Sequence, residues 1–376
     1  MTAACSCRPA PTAEWSPHRA FMEGREIFLR REMMIKTLLP LWILVLADVC
    51  LPGQTVTGAT VKSTFIYPRE NRPTPQCHAS TIVQTTDGSL LAAWFGGSRE
   101  GEPDVGIWVA RLEKGKWTEP MMAADGAWTL GRRFPCWNPV LFQPPQGPVW
   151  LFFKVGPDVD TWWGERLVSH DQGQTWQQRQ TLPQGGIGPV KNKPIILADG
   201  AWLCPSSSEH QRWRVHFEIS RDEGKTWQTV GPINSGENDG AIQPTILVHR
   251  DGRLQALCRA QKAGVILQSW SQDQGQTWSA LQPTLLPNPN SGIDACTLQD
   301  GRFVLIYNPQ SKGRNRLNAA ISSDGIQWMD KVILENKPSG EFSYPAVIQS
   351  KDGLVHVTYT YLRETIKHVT LDPERM

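Results

Sequence analysis

Two series of residues at matching places in the 376-residue chain carry groups that could do chemistry. Alignment on Gly88, Gly147, Gly200, Gly252, Gly301 and Gly353 puts His78, Asn138, Lys193, Gln243, Asp294 and Tyr344 at the starts of six apolar runs. Seven residues beyond the same glycines stand Phe95, Lys154, Ser207, Arg259, Asn308 and Thr360. An imidazole titrates near neutrality, a phenol becomes a nucleophile once a base takes its proton, and a guanidinium fork matches a carboxylate. Lys154 and Arg259 would be costly to bury unpaired. A hydrophobic core has no need of such rings, so they are expected to line a substrate funnel. Trp162, Trp163, Glu209, His210, Arg132 and Arg133 lie in segments that could reach the same cleft.

Positioning these residues requires a repeated element. SHDQGQTW at 169–176 recurs as SRDEGKTW at 220, SQDQGQTW at 271 and, worn, SSDGIQW at 322, so Asp171, Asp222, Asp273 and Asp324 follow one another at a constant 51 residues. That period marks repeated supersecondary units. Ahead of each copy two β-like runs flank a tight turn, as in NKPIILADGAWLCPS and IQPTILVHRDGRLQALCRA, which is a hairpin signal. A third strand enters the Asp motif and a fourth follows its Trp. Four antiparallel strands per repeat is the pattern of a propeller blade, and six turn glycines give six blades. The expected fold is all-β, a six-bladed β-propeller over residues 60–376, closed by a strand near Thr64–Tyr67 pairing with the last blade. In the motif, Asp caps backbone N–H groups, Gly supplies positive φ and Trp packs between blades, so it is read as a folding device.

The repeated Ser-x-Asp-x-Gly-x-Thr-Trp motif resembles the Asp box of sialidases (neuraminidases), and the likeness runs over about residues 60–376. The resemblance implies a propeller with Asp-box turns and an exo-alpha-sialidase-type glycoside hydrolase acting on a terminal acidic sugar. Such enzymes hold the sugar carboxylate with three arginines, attack with a Tyr assisted by a Glu, and use an Asp as acid/base. Tyr344 in EFSYPAV resembles the nucleophile, and Arg259 in ALCRAQ and Arg314 in SKGRNRL resemble two of the arginines. Arg99 and Asp104 in GGSREGEPD resemble the first-blade Arg and acid/base Asp. Two positions depart: His78 in CHAST replaces the remaining arginine, and Gln243 in AIQPTIL replaces the Glu. An amide cannot act as the base, so His78 is expected to serve Tyr344 from the neighbouring end of the closed ring. Lys193, Asp294, Asn138 and Gln243 are expected to contact substrate. The His78 and Tyr344 pair, with Arg259 on a carboxylate, also suits a uronate-specific polysaccharide lyase or glycosidase. A non-catalytic glycan-binding propeller is the third reading.

A formal net charge of +2 with 40% hydrophobic residues gives no basic footprint for nucleic acid. Lys36 followed by an apolar run from Leu38 to Ala47 and a Thr-x-Ala pattern ending at Ala59 outlines a signal peptide, too short for a comfortable span. Residues 1–59 are therefore expected to be an N-terminal extension with signal peptide, and the mature chain to be secreted or periplasmic without a stable membrane span. Beyond it stand Cys77, Cys136, Cys204, Cys258 and Cys296; Cys77 and Cys136 occupy matching places and are a candidate bridge. The sequence contains no CxxC or HExxH motif, and neither metal nor cofactor is expected. The partner expected is a carbohydrate bearing a carboxylate, a sialoside or a uronate glycan.

Overall fold

A computed structural model describes residues 58–376 apart from 127, 130, 184 and 185. Six antiparallel sheets, five of four strands and one of five, form the six blades. Their inner strands are Gln76–Gln84, Cys136–Phe142, Ile195–Ile196, Ala241–Val248, Asp294–Thr297 and Phe342–Gln349, taken below as blades 1 to 6. All but the last two residues of the expected 1–59 extension lie outside the described residues, and so does the apolar run of the signal peptide. Ala59 is fully buried against the last blade, where its carbonyl accepts from the Asp372 amide at 2.8 Å.

Closure of the ring uses the start of the propeller. Strand Thr60–Phe65 pairs antiparallel with Thr365–Leu371 and becomes the outer strand of blade 6, four residues earlier than the segment expected from sequence. The last sheet is thereby built from both ends of the domain, which leaves no blade short of its edge strand.

The Asp boxes serve the turns on the blade edges. In each intact copy the Asp carboxylate accepts from the Thr amide and hydroxyl four residues on, at 2.6 to 2.8 Å for Asp222 and Thr226. Thr226 holds the Asp222 carboxyl down to about 2. Gly275 adopts φ +81, and a Cβ there would come within 2.9 Å of Leu203, so the turn demands glycine twice over. The closing Trp residues pack on the preceding blade: Trp278 stacks on Phe217 with centroids 3.9 Å apart and planes 8° apart.

Among the described residues, Cys77, Cys136, Cys204, Cys258 and Cys296 are free thiols. Cys77 packs with Tyr67 and Trp94, whereas Cys136 belongs to a separate apolar cluster and donates its Sγ–H to the Asp125 carbonyl at 3.2 Å. The expected Cys77–Cys136 bridge is thus corrected: equivalent places in neighbouring blades are not facing places. Among the described residues no helix is long and apolar enough to cross a membrane.

Candidate active site

Four inner strands begin with a break in the ladder. Register shifts occur between His78 and Thr81, Trp137 and Val140, Ile242 and Thr245, and Ser343 and Ala346. Counting four residues back from the ladder partner of the residue three past each turn glycine gives the equivalent ring positions. They are Ala79, Asn138, Lys191, Gln243, Gly292 and Tyr344. The five non-glycine members all have left-handed φ, from 37° at Asn138 to 71° at Lys191. That backbone costs L-residues about 1–2 kcal/mol each and re-aims the side chain at the bulge. Pro139, Pro244 and Pro345 follow three of them, placing a residue without an N–H where the ladder is already broken. The turn-based alignment is therefore correct for Asn138, Gln243 and Tyr344, one residue early for His78, and two residues late for Lys193 and Asp294.

Tyr344 lies at the centre of the polar cluster. Its phenol oxygen accepts from Arg259 Nη1 at 2.6 Å and from Gln243 Nε2 at 3.3 Å. Arg259 is 8% exposed, donates through Nε to Asn290 Oδ1 at 2.7 Å and lies 5.0 Å from the Trp213 ring centroid. It makes no ion pair among the described residues. Arg314 lies 5.8 Å from the Tyr344 centroid, donates to the Asn290 carbonyl at 2.9 Å and pairs with Glu341 at 3.0 Å. Glu341 in turn holds Arg363 Nε at 2.9 Å. Burial opposes ionisation of Glu341, but the surrounding positive charge and the Arg363 and Ser343 hydrogen bonds hold its carboxyl down to about 2. The three guanidiniums form an arc, Arg259 to Asn290 to Arg314 to Glu341 to Arg363, around one side of Tyr344.

His78 is 2% exposed, and its ring lies 4.2 Å from that of Tyr344, centroid to centroid, at 50°. Nε2 is 3.4 Å from Arg363 Nη2, which donates to it, so Nδ1 carries the proton and faces Thr360 Oγ1 at 3.0 Å. Burial and then the Arg363 charge push its pKa well below the usual imidazole value. The two rings adjoin as a closed ring of blades requires, but the hydrogen-bond partners of the phenol are Arg259 and Gln243.

The other expected site residues are more scattered. Arg99 and Asp104 occupy an exposed loop and do not pair with each other: Arg99 bonds Glu102 at 2.6 Å, and Asp104 accepts from the Ser98 amide and hydroxyl, both at 2.8 Å. Lys193 and Asp294 pair at 2.8 Å, and Asp294 also accepts from Thr245 Oγ1 and the Val347 amide, so it ties blades 3, 4, 5 and 6 together. Asn138 is buried beside Trp137, which meets Trp162 edge-on at 6.1 Å. Trp163 instead donates to Glu165. Glu209 lines a cavity of about 180 Å³ with Asp160, Trp162 and His210, and burial raises its carboxyl to about 7. Arg132 and Arg133 form one strand of a two-stranded hairpin.

Sequence reasoning missed Arg363, Glu341, Asn290, Trp213 and Lys191. Arg363 is supplied by a turn in which Leu362 and Arg363 are both left-handed, at φ 56° and 58°. The motif LRET gives no hint of that, whereas Glu341, three residues before Tyr344 in EFSY, was within reach of a search for the arginines' counter-ion.

The chain resembles known proteins in the same region. A Hadza microbial sialidase superposes with TM-score 0.72 at 16% identity, covering 84% of this chain and 69% of that one. A protein of unknown function from Dyadobacter fermentans gives TM-score 0.69 at 18% identity, covering 83% and 98%. The intramolecular trans-sialidase from Ruminococcus gnavus, solved with oseltamivir carboxylate, gives 0.67 at 15% identity, covering 85% and 99%. At such identities the likeness establishes the propeller fold. No curated protein matches the chain. The family model described as a BNR repeat-like domain matches residues 88–357, a span that contains the Asp boxes and most of the site, and the chain belongs to that family.

Proposed function

We propose that this protein is an exported glycoside hydrolase of exo-sialidase type. It grips a terminal acidic sugar by its carboxylate and presents Tyr344 to the anomeric carbon. The observation that carries this reading is Arg259, a guanidinium 8% exposed, without an ion pair among the described residues, 2.6 Å from the phenol oxygen. A buried charge lacking its counter-charge is costly, and a ligand carboxylate supplies the missing partner. Arg314, preset by Glu341, adds a second fork on the same side. The same guanidinium stabilises the phenolate, formed by loss of its proton to solvent, before the oxygen attacks. A carboxylate nucleophile suits a carboxylate-bearing sugar less well than a phenol does, because it is charged already when the sugar binds and like charges repel. Solved proteins of this fold include a Hadza microbial sialidase and an intramolecular trans-sialidase, which supports the substrate class.

One observation favours a second reading. Gln243 places an amide beside the phenol, and both nitrogens of His78 have partners in Thr360 and Arg363. With no carboxylate bonded to the Tyr344 phenol among the described residues, a phenolate acting as the base next to a uronate carboxylate would give elimination. Product analysis on a panel of sialosides and uronate-containing oligosaccharides separates the two. Free sialic acid is the expected product, an ultraviolet-absorbing unsaturated uronate would establish the elimination, and binding without any product would leave a glycan-binding propeller.

A further inference from the structure

Lys191 stands at the same ladder position in blade 3 as Tyr344 does in blade 6, yet the chemistry above does not use it. Its side chain is 3% exposed. An ammonium has three N–H donors, and three oxygens surround this one: Asn192 Oδ1 at 2.9 Å, the Ile293 carbonyl at 2.6 Å and the Pro345 carbonyl. Burial pulls the amine down to about 7, with Asp294 opposing the shift and Lys193 and Arg259 adding to it. The next residue, Asn192, donates to the carbonyls of Gln243 and Pro244, both at 3.0 Å. A single short segment therefore holds the backbone at Gln243 and just after Tyr344, two of the residues whose side chains meet Arg259. Contact continues through Gly292, where an added Cβ would lie 3.3 Å from Lys191 Cε and 3.4 Å from Tyr344 Cγ and Cδ2.

We propose that Lys191 is a positioning residue for Tyr344, clamping from across the axis the carbonyl that follows it. This rests on Tyr344 being the reacting group, as in the function proposed above. The left-handed backbone at Tyr344, φ 50°, persists only if its surroundings hold it, and the bond to Pro345 is one of those restraints.

The test reads the phenol directly and needs no substrate, so its failure is distinct from failure of the proposed function. Crystal structures of the parent and of its Lys191 variants are compared for the distance from the Tyr344 phenol oxygen to Arg259 Nη1, 2.6 Å in the parent. Lys191→Met keeps the apolar stem and removes the donor to Pro345; the phenol should leave hydrogen-bond reach of Arg259. Lys191→Gln keeps a donor for Pro345 and is the second variant should the first fail to fold, as judged by circular dichroism. A smaller displacement is expected there. A phenol that keeps its place against Arg259 in a folded Lys191→Met variant would overturn the proposal, as would a crystal structure of the parent with the amine turned away from the Pro345 carbonyl.

Discussion

Arg259→Ala removes the one guanidinium in the arc that has no carboxylate partner among the described residues. In the parent it donates to Tyr344 Oη at 2.6 Å, to Asn290 Oδ1 at 2.7 Å and to Gln243 Oε1 at 3.3 Å. Loss of these bonds frees three oxygens in the unliganded site, and water entering the vacated volume can satisfy them. A bound carboxylate has no such remedy, because it loses a charge-assisted fork inside a partly desolvated cleft. Truncating one partner of a buried, hydrogen-bonded charge pair costs binding about 2–4 kcal/mol. At about 1.4 kcal/mol per decade this is a loss of roughly 30- to 1,000-fold. Arg314 already supplies the second fork and Arg363 is committed to Glu341, so neither should make good the loss. Titration calorimetry with N-acetylneuraminic acid and with its methyl ester, on parent and variant, isolates the effect. The acid should lose most of its advantage over the ester in the variant, with the ester's affinity nearly unchanged. Equal weakening of acid and ester would refute the electrostatic reasoning, and an equal preference for both in the parent would refute the carboxylate site itself.

Acid should destabilise blade 6 through its buried histidine pair. His356 and His368 are 3.0 Å apart, and burial holds them at about 4 and about 3, so both are neutral in the fold. Their contribution is fully present above the unfolded value near 6.5 and is lost as pH falls below it, by about 2 kcal/mol per imidazole at pH 5. Urea midpoints should fall between pH 7 and pH 5, and less steeply in His356→Gln; a flat profile in the parent would contradict the assignment. Gly292→Ala adds a methyl between Lys191 and Tyr344 at 3.3 to 3.4 Å, so it should displace the phenol and weaken acid-sugar binding with little change in melting temperature. Unaltered affinity would show that the ring has room to give. Asp222→Ala removes the acceptor for the Thr226 amide and hydroxyl and should lower the melting temperature while leaving ligand affinity intact. A loss of affinity at constant stability would place that turn in the site.

The architecture is legible because a propeller repeats its instructions. Four Asp boxes at a fixed spacing, six hairpin turns and an unpaired last blade specify six sheets and the need for a closing strand. The ring at the axis is harder to read because the inner strands do not start in register. The ring residue carries no residue type of its own: it is Ala79 in blade 1, Lys191 in blade 3 and, without the left-handed backbone, Gly292 in blade 5. Only ladder pairing reveals their equivalence. Tyr344, Arg259, Arg314 and Gln243 are brought together as their sequence places imply, since each lies near the start of an inner strand, at the end of a second one or just beyond it. Arg363 was invisible because its approach depends on two successive left-handed residues in a hairpin turn, a backbone choice that Leu and Arg do not advertise. Arg99 and Asp104, conversely, share a motif without sharing a contact.

Turnover of the Tyr344→Phe variant tests the central claim most directly. The substitution keeps the ring that packs on His78 and removes only the oxygen bonded to Arg259 and Gln243. On whichever sialoside or uronate glycan the parent processes, the variant should retain the parent's melting temperature and carboxylate-dependent binding while losing turnover by about 10²-fold or more. Near-parental turnover by a folded Tyr344→Phe protein would contradict the account.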